Sequence, residues 1–460
     1  MEKPKSSLKQ IPQVEKLLQE KQIKPFTSSL GRGLTTEIIR KEINSFRKKI
    51  KKETKISPKD LISLIVKQCQ KKEQEKIQRV INATGIILHT NLGRAPLSKE
   101  IYENLEELFS GYSNLEFHLP SQKRGKRGGL AEDLICHLTK AESALIVNNN
   151  ASSVFLILNA LAKRKKVLVS RSELVQIGGG FRIPDIMVSS GAKLVEVGTT
   201  NITSLKDYAS KIDEKTCMIL SVHQSNYKIE GFTKKPSLKE ISSLKKDNLF
   251  LVRDLGSGNL VFDKDLPNNF EPTISSELKQ GVDLICFSGD KLLGGIQAGF
   301  ILGKRELVDK LRQHPLMRIL RIDKITYFIL QETLLKFAKK EEKELPLWKI
   351  IFQKEKEISQ KIDKILKELK PKEKSFLKKI SSKAAFGGGS LPTIEINSYA
   401  LQFNFPKIKA AQINSFFLEN HPPLIGSIIN GKFSLDFMTV LDKDLEDIVK
   451  AINLFFKKFF

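Results

Sequence analysis

The sequence predicts an α/β protein with a mostly parallel central sheet, preceded by a basic helical domain and followed by a small α+β domain. The chain has 460 residues, of which 40% are hydrophobic, and this is enough to form two or three separate cores. Short apolar runs alternate with helical patterns in the middle of the chain, whereas both ends are rich in lysine. We therefore place three domains at residues 1–78, 79–335 and 336–460.

Residues 1–78 are predicted to form a basic helical domain with a linker. Apolar residues recur at helical spacing within 11–18 and within 34–43, and a third helix is predicted to begin with Ser57 as its N-cap and Pro58 in its first turn. The first 80 residues hold 21 Lys and Arg against 9 Asp and Glu, in a chain with a net charge of +26. This surplus favours a nucleic-acid partner through counterion release, and a lysine-rich composition typical of thermophiles is the alternative explanation.

Six apolar runs in the middle domain have the pattern of buried parallel strands. Each is short, rich in Val, Ile and Leu, and followed by polar or glycine residues. They are ALIVNNN, KKVLVSR, AKLVEVG, CMILSVH, NLFLVRD and VDLICFSGD. Because the carboxyl ends of parallel strands meet at one edge of a sheet, we expect the functional side chains there.

A helical, Lys/Glu-rich stretch is predicted at about 325–383, across the boundary between the middle and the last domain. Strand-like segments then alternate with further helices up to residue 460. These segments are TIEIN, LQFNF and KFSLDF. The pattern indicates a small α+β domain.

The composition excludes several classes of protein. No apolar run reaches the roughly 18 residues that span a bilayer, and the N-terminus lacks the apolar core of a signal peptide, so we expect a cytoplasmic protein. The cysteines form no C-x-x-C pair, which predicts neither a zinc site nor a disulfide framework. They are Cys69, Cys136, Cys217 and Cys286. No other cluster of ligands requires a metal.

Lys291 is the first candidate for catalysis, because it follows the strand-like run VDLICF in a glycine-rich turn. A lysine in this position can form an imine with an aldehyde cofactor if burial or neighbouring groups lower its pKa. The S-x-x-K spacing places the hydroxyl of Ser288 where it can hold a cofactor phosphate. An exposed loop lysine is the alternative in a chain with 78 basic residues.

Asp254 ends the apolar run NLFLVRD, 37 residues before the lysine. Catalysis by pyridoxal phosphate (PLP) needs a carboxylate against the pyridine nitrogen. A buried aspartate is costly unless it is paired, which favours a specific cationic partner. A helix N-cap or an Asx turn before Gly256 is the alternative.

The polar turn after ALIV opens an apolar helix and can hold a phosphate on its free N–H groups. Its residues are Asn149, Asn150, Ala151 and Ser152. Phosphate cradle, acid and S-x-x-K follow one another in the order seen in fold-type-I PLP enzymes. The combination predicts that fold class, with PLP as the cofactor.

Several longer motifs are specific enough to indicate a family. They are INATGIILHTNLGRAPLS, VNNNAS, SRSELVQIGGGFRIPDIM, VHQSNYKIEGF, RDLGSG, SGDKLLGGIQAG, HPLMRILRIDK and GGGSLP. From about residue 80 to near the C-terminus, the chain resembles the bacterial L-seryl-tRNA selenium transferases, also called selenocysteine synthases. The family's usual Gly, Glu and Pro are replaced by Ser172, Gln176 and Ile296, and the exchange at Gln176 removes a carboxylate from an expected active-site loop.

The resemblance implies a reaction and its partners. Lys291 is then the Schiff-base lysine of a PLP enzyme that converts L-seryl-tRNA(Sec) to L-selenocysteinyl-tRNA(Sec) through an aminoacrylyl-tRNA intermediate. The seryl-charged selenocysteine tRNA is expected to bind the N-terminal domain of a large homo-oligomer, whose active sites can be shared between subunits. A PLP-dependent lyase or aminotransferase acting on a free small amino acid is the main alternative, and an inactive RNA-binding relative is the second.

The remaining site residues are assigned by their motif positions. Arg94, Arg318 and Arg321 are expected to bind selenophosphate, and the last two are three residues apart and would share a helix face. Hydroxide is a poor leaving group, and His89, Asp290 and His223 are the candidates for the acid that protonates it. His223 is also expected to contact the cofactor.

Overall fold

The computed structural model describes residues 11–50, 58–177, 180–224, 227–267, 269–391 and 393–460. The chain divides into two compact units, one up to Arg79 and one from Val80 to Phe460. The described part contains no helix that is long and apolar enough to cross a membrane.

The first unit is helical in the residues that the structure describes. Its helices are α1 Val14–Gln19, α2 Lys24–Ser29, α3 Arg32–Ile50 and α4 Pro58–Gln74. The apolar positions at helical spacing form its core, since Leu17, Ile39 and Ile65 are fully buried. The helical character predicted for this region is confirmed, and the predicted N-cap Ser57 lies outside the described residues.

The second unit contains strands and helices in alternation. Its strands are β1 Ile81–Asn82, β2 Phe117–His118, β3 Lys123–Arg124, β4 Ser143–Val147, β5 Lys166–Ser170, β6 Gln176–Ile177, β7 Phe181–Arg182, β8 Lys193–Val197, β9 Thr216–Val222, β10 Phe250–Gly256, β11 Leu284–Ser288, β12 Gly299–Gly303, β13 Leu377–Ala385, β14 Glu395–Phe403, β15 Leu424–Ile425, β16 Ser427–Ile429 and β17 Lys432–Asp436. Its helices are α5 Lys99–Ser110, α6 Gly129–Thr139, α7 Asn150–Leu161, α8 Ile183–Ser190, α9 Leu205–Ala209, α10 Leu238–Ser242, α11 Ile274–Leu278, α12 Arg305–Gln313, α13 Met317–Leu320, α14 Lys324–Ala338, α15 Pro346–Phe352, α16 Glu355–Glu368, α17 Pro371–Lys374, α18 Ala410–Leu418 and α19 Leu445–Phe459.

A seven-stranded sheet in the order β4-β12-β11-β10-β9-β5-β8 forms the centre of this unit. All pairings are parallel except the two that β12 makes with β11 and β4. Successive side chains of a strand point to opposite faces of the sheet and pack in two different hydrophobic cores. Leu251 belongs to one core and Val252 to the other. Both faces are therefore covered, which explains why these strands are continuously apolar. The predicted α/β class with a mostly parallel sheet is confirmed, and the six predicted runs are all strands of this sheet.

The C-terminal part contains a four-stranded antiparallel sheet in the order β13-β14-β17-β16, with α16, α18 and α19 beside it. The prediction of helix up to about residue 383 was wrong at its end, because β13 already begins at Leu377. This stretch pairs with β14 along nine residues, from Leu377 opposite Phe403 to Ala385 opposite Glu395. Lysine has a low strand propensity, but pairing with β14 stabilises a strand here in spite of it.

Residues 81–88 join this C-terminal sheet region, although they precede the central sheet in the chain. β1 pairs in parallel with β15, and Ile86 forms a bridge with Ala385. Gly85 has a φ of +77° and lies against Asp436, so that a Cβ at this glycine would come within 2.9 Å of the aspartate Cγ. Residues 81–88 are thus held by β15, Ala385 and Asp436 directly before the loop that contains His89 and Arg94.

Candidate active site

A cavity of about 220 Å³ lies at the carboxyl edge of the central sheet. Val222, Asp254 and Ser288 come from the ends of β9, β10 and β11, and Asn149 to Ala151 come from the start of α7. The complete lining is Arg94, Asn149, Asn150, Ala151, Val154, Val175, Ile183, Val222, His223, Asp254, Gly256, Ser288, Asp290, Lys291, Gln297 and Ala298. The cavity therefore collects most of the residues that the sequence singled out from distant segments.

Lys291 lies in a tight turn after β11. The turn is held by hydrogen bonds from the Leu292 N–H to the Ser257 carbonyl (2.9 Å) and from the Gly294 N–H to the Lys291 carbonyl (2.8 Å). Burial lowers the pKa of the Lys291 amine, and the positive charge of Arg94 lowers it further, against opposing effects of Asp254, Asp290 and Glu271. The amine is thus biased towards its neutral, nucleophilic form.

Asp254 lies inside β10 and is only 8% exposed. Its Oδ1 accepts a hydrogen bond from the Asn150 Nδ2 at 2.8 Å. Burial raises the pKa of this carboxyl, whereas the amide of Asn150 and the charges of Lys291 and Arg253 act in the opposite direction. The carboxylate is therefore buried at the cavity wall and supported by donors, and its place within a strand argues against a helix N-cap.

The first turn of α7 forms another wall of the cavity. The Asn149 side chain caps the helix by accepting a hydrogen bond from the Ser152 N–H at 2.8 Å. Ala151 lines the cavity, whereas Ser152 lies outside its lining. β12 approaches this turn closely because Gly299 has no Cβ, which would come within 2.1 Å of the Asn149 carbonyl oxygen.

Arg94 and Asp290, which were predicted to have separate roles, form an ion pair. The Arg94 Nη1 lies 2.7 Å from the Asp290 Oδ2, and both side chains line the cavity. The second oxygen, Oδ1 of Asp290, is buried without a hydrogen-bond partner among the described residues. The Arg94 side chain is still partly exposed at the cavity and keeps donors for a ligand, whereas the second Asp290 oxygen is inaccessible.

His223 is fixed by two buried residues that the sequence analysis did not assign. The Arg253 Nη2 lies 3.2 Å from the His223 Nδ1, and the Glu271 Oε1 lies 3.5 Å from the His223 Nε2. Arginine can only donate, so Nδ1 must accept and the ring proton belongs on Nε2, towards Glu271. Arg253 is itself held by Glu277, whose Oε2 lies 2.9 Å from the Arg253 Nε. Arg253 is part of the quoted motif RDLGSG, but no sequence pattern points to Glu271.

Besides Ser152, three further predicted site residues lie outside the cavity lining of the described chain. His89 is half-buried, burial lowers the pKa of its imidazole, and its Nδ1 has no hydrogen-bond partner among the described residues. Arg318 and Arg321 are exposed. The expectation that these two arginines share a helix face was wrong, because α13 ends at Leu320 and Arg321 has extended backbone angles.

Two of the three departures from the family pattern, Gln176 and Ile296, are next in sequence to residues of the cavity lining. Gln176 is exposed, and its Oε1 accepts a hydrogen bond from the Arg182 Nε at 2.7 Å. The Ser172 hydroxyl lies 2.8 Å from the Ser170 hydroxyl, and Ile296 is half-buried. None of the three lines the described cavity, whereas Val175, next to Gln176, does.

Comparisons with known proteins identify the family. The family model described as L-seryl-tRNA selenium transferase matches residues 80–441, and the model described as selenocysteine synthase N terminal matches residues 8–47. The L-seryl-tRNA(Sec) selenium transferase of Nautilia profundicola is 42% identical over 97% of both chains. Those of Clostridium botulinum strain Loch Maree (98% of this chain, 99% of the relative) and Sulfurimonas denitrificans (97% and 98%) are each 38% identical.

A solved structure agrees with the fold. The structure of D-glucosaminate-6-phosphate ammonia-lyase covers 82% of this chain and 95% of its own, with a TM-score of 0.57 and 17% identity. At this identity the likeness concerns the fold alone. The match to the family model along most of the chain and the full-length relatives lead to one conclusion: the chain belongs to the L-seryl-tRNA selenium transferase family.

Proposed function

We propose that this chain is a PLP-dependent enzyme that converts L-seryl-tRNA(Sec) to L-selenocysteinyl-tRNA(Sec). The observation that carries the proposal is the placement of the Lys291 amine, with its lowered pKa, in the same cavity as the buried carboxylate of Asp254. Membership of the family supplies the substrate, because its relatives are named for this reaction. It also disfavours an enzyme for free amino acids and an inactive relative.

The cavity residues fit PLP. The Lys291 Nζ would hold the aldehyde carbon, Asp254 the ring nitrogen, and Ser288 with the first turn of α7 the phosphate, while His223 lies beside Asp254. The buried carboxylate at the cavity wall is suited to this role, because a cationic ring nitrogen would offset its burial. When bound, PLP supplies an electrophilic aldehyde and a ring that withdraws electrons from the substrate Cα.

Lys291 is suited to moving the proton that the reaction transfers. Its neutral amine can take the proton from the Cα of the seryl group and then deliver it to the departing hydroxyl, so that water leaves and no net proton is consumed. The other candidates are less well placed, since both nitrogens of His223 face other side chains and His89 lies outside the cavity lining of the described residues. Asp290 is held by Arg94.

Selenophosphate is the proposed selenium donor. Arg94 lines the cavity and offers a forked donor to a phosphate-bearing anion next to Lys291. Arg318 and Arg321 are exposed on their own chain. We keep them as selenophosphate ligands on the condition that they reach the cavity of another subunit in a homo-oligomer.

The N-terminal unit is the proposed tRNA-binding domain. It has its own buried core, it matches the family's N-terminal model over 8–47, and the first 80 residues carry a surplus of 12 positive charges. A basic surface of this kind binds phosphate backbones. The tRNA substrate implies that the protein acts in the cytoplasm.

The proposal is tested by mapping the cofactor. The purified protein with PLP is expected to absorb at the wavelength of a protein-bound imine, and reduction with borohydride should fix the cofactor on Lys291, as shown by peptide mass mapping. Lys291→Ala should lose conversion of seryl-tRNA by at least about a thousandfold, since the covalent step depends on this amine. Lys304→Ala is the matched control, because Lys304 is half exposed and pairs with Asp283 away from the cavity. Labelling at another lysine would overturn the proposal.

A further inference from the structure

Six lysines surround two neighbouring open grooves on the C-terminal part of the chain. One groove, of about 580 Å³, is lined by Lys370, Lys372 and Lys457 together with Phe376 and Phe460. The other, of about 650 Å³, is lined by Lys364, Lys367 and Lys374. Five of the lysines come from α16, α17 and α19, Lys370 directly precedes α17, and α16 packs against α19. Three helices thus direct their positive charges to one region.

These charges are not neutralised within the chain. None of the six lysines forms an ion pair with a carboxylate of the residues that the structure describes, and all but the half-buried Lys374 are exposed. The acidic side chains in the groove linings are Glu368, Glu373 and Asp363. Asp363 already pairs with Lys379 at 2.6 Å, and the Glu373 Oε2 accepts the Lys370 N–H at 2.8 Å. An anionic partner would meet a net positive surface.

The grooves lie at a defined distance from the active site. β13 begins at Leu377, directly after the groove residue Phe376, and ends at Ala385, which is bridged to Ile86. The nine strand residues are separated by eight steps, which span about 26 Å. Ile86 precedes by three residues the loop that carries His89 to Arg94 into the site. A ligand that contacts both the grooves and the cavity must therefore be long. Because the grooves are positively charged, such a ligand is a polyanion.

We propose that these grooves form a second RNA-contacting surface, which binds the phosphate backbone of the tRNA whose aminoacylated end occupies the active site. The inference rests on the proposed function, because tRNA is the long polyanion that the reaction requires. It adds a contact that the N-terminal domain does not provide. Lysines are suited to this role, since they bind phosphates as mobile point charges without reading sequence.

The test compares two triple variants of the full-length protein that lose the same net charge. Lys370→Gln, Lys372→Gln and Lys457→Gln are combined in one, and Lys206→Gln, Lys211→Gln and Lys215→Gln, exposed on the other part of the unit, in the control. Binding of a selenocysteine tRNA transcript is measured by fluorescence anisotropy over a range of salt concentrations. Each lost phosphate contact should reduce the salt dependence, the slope of log K against log[salt], by about 1.

The groove variant is expected to bind the tRNA at least about tenfold more weakly, with a slope reduced by about 2 to 3. Its KM for seryl-tRNA should rise while kcat stays unchanged, and the control variant should match the wild type. Equal slopes in the groove variant and the wild type would overturn the inference, as would equal losses in both variants. Displacement of the tRNA by polyglutamate at equal charge concentration would also overturn it, by showing a general polyanion surface. A wild-type protein that binds no tRNA would instead refute the proposed function.

Discussion

The reactivity of Lys291 is determined by its surroundings. The chain carries 78 Lys and Arg, and most lysines are exposed. Lys291 differs because burial and the charge of Arg94 lower the pKa of its amine. An amine whose pKa is lower in the folded protein than in the unfolded chain opposes folding wherever the unfolded chain binds more protons, and this cost can be measured.

Lys291→Met should make the cofactor-free protein more stable at neutral pH while abolishing activity. Between the lowered pKa of the folded state and the ordinary lysine pKa of 10.5, the unfolded chain binds a proton at Lys291 that the folded chain does not. Lys291 therefore lowers the free energy of unfolding by about 1.4 kcal/mol per pH unit until the folded-state pKa is reached. Denaturant unfolding of both proteins should show the gain at neutral pH and its disappearance as the pH rises towards 10.5. A variant no more stable than the wild type at neutral pH would contradict the assignment.

Site residues that lie at the ends of predicted strands could be identified from the sequence. Contacts between side chains that are distant along the chain could not. Lys291 and Asp254 each follow an apolar run, and such a pattern is visible locally. The ion pair of Arg94 with Asp290 joins residues 196 positions apart, and no local pattern encodes it. Glu271 lies in a loop without a regular pattern, so its contact with His223 emerges only when β9 and β10 lie side by side.

At the scale of elements, residues 81–88 connect the two sheets of the second unit. Gly85 lies against Asp436, whose carboxylate accepts hydrogen bonds from Ser382 (2.6 Å) and Ser398 (2.7 Å). The next residues, Ile87 and Leu88, donate their N–H groups to the carbonyls of Ala385 and Phe386. The position of Arg94 in the cavity therefore depends on contacts made in the C-terminal sheet region.

Gly85→Ala is expected to destabilise the protein by about 2 to 5 kcal/mol, from a left-handed backbone and from crowding against Asp436. Gly93→Ala is the matched control for stability. Gly93 also has a positive φ, of +85°, but open space around its missing Cβ, so only the backbone cost of about 1 to 2 kcal/mol should appear. Denaturant unfolding of the two variants measures the difference. Equal losses would show that the contact with Asp436 has no energetic role.

Prediction of the elements succeeded where burial on both faces gives an apolar run. All six parallel strands were found in this way. The antiparallel β12 was missed, although GFILG is apolar, because it follows the lysine turn within a few residues and has no helix before it. β13 was missed because its sequence LKKISSKAA contains three lysines and no clear apolar alternation, and its pairing with β14 is not visible in the local sequence.

At the scale of the whole molecule, two of the predicted selenophosphate ligands face outwards. Arg318 and Arg321 are exposed and lie outside the described cavity lining, while Arg94 is inside it. Their exposed positions agree with the proposed role if Arg318 and Arg321 of one subunit reach the cavity of a neighbouring subunit. In such an assembly, each active site needs residues from two chains.

Mixing two inactive variants should restore activity. Lys291→Ala lacks the amine, and the double variant Arg318→Ala, Arg321→Ala lacks the outward arginines, so a mixed pair has one complete site. Denaturing and refolding equal amounts together should recover up to about one quarter of wild-type activity if subunits assort randomly in pairs. Co-purification through different affinity tags shows that mixed oligomers form. Mixed oligomers without activity would place all the required groups in a single chain.

The pairing of β1 with β15 also has a consequence for biosynthesis. Ile81 lies opposite Leu424, so β1 cannot pair with β15 until more than 300 further residues have been synthesised. At about 5 to 20 residues per second, that interval lasts roughly 20 to 70 seconds. The N-terminal unit, complete by Arg79, can fold during this time, whereas the loop that carries Arg94 reaches its final position only when the nascent chain is nearly finished.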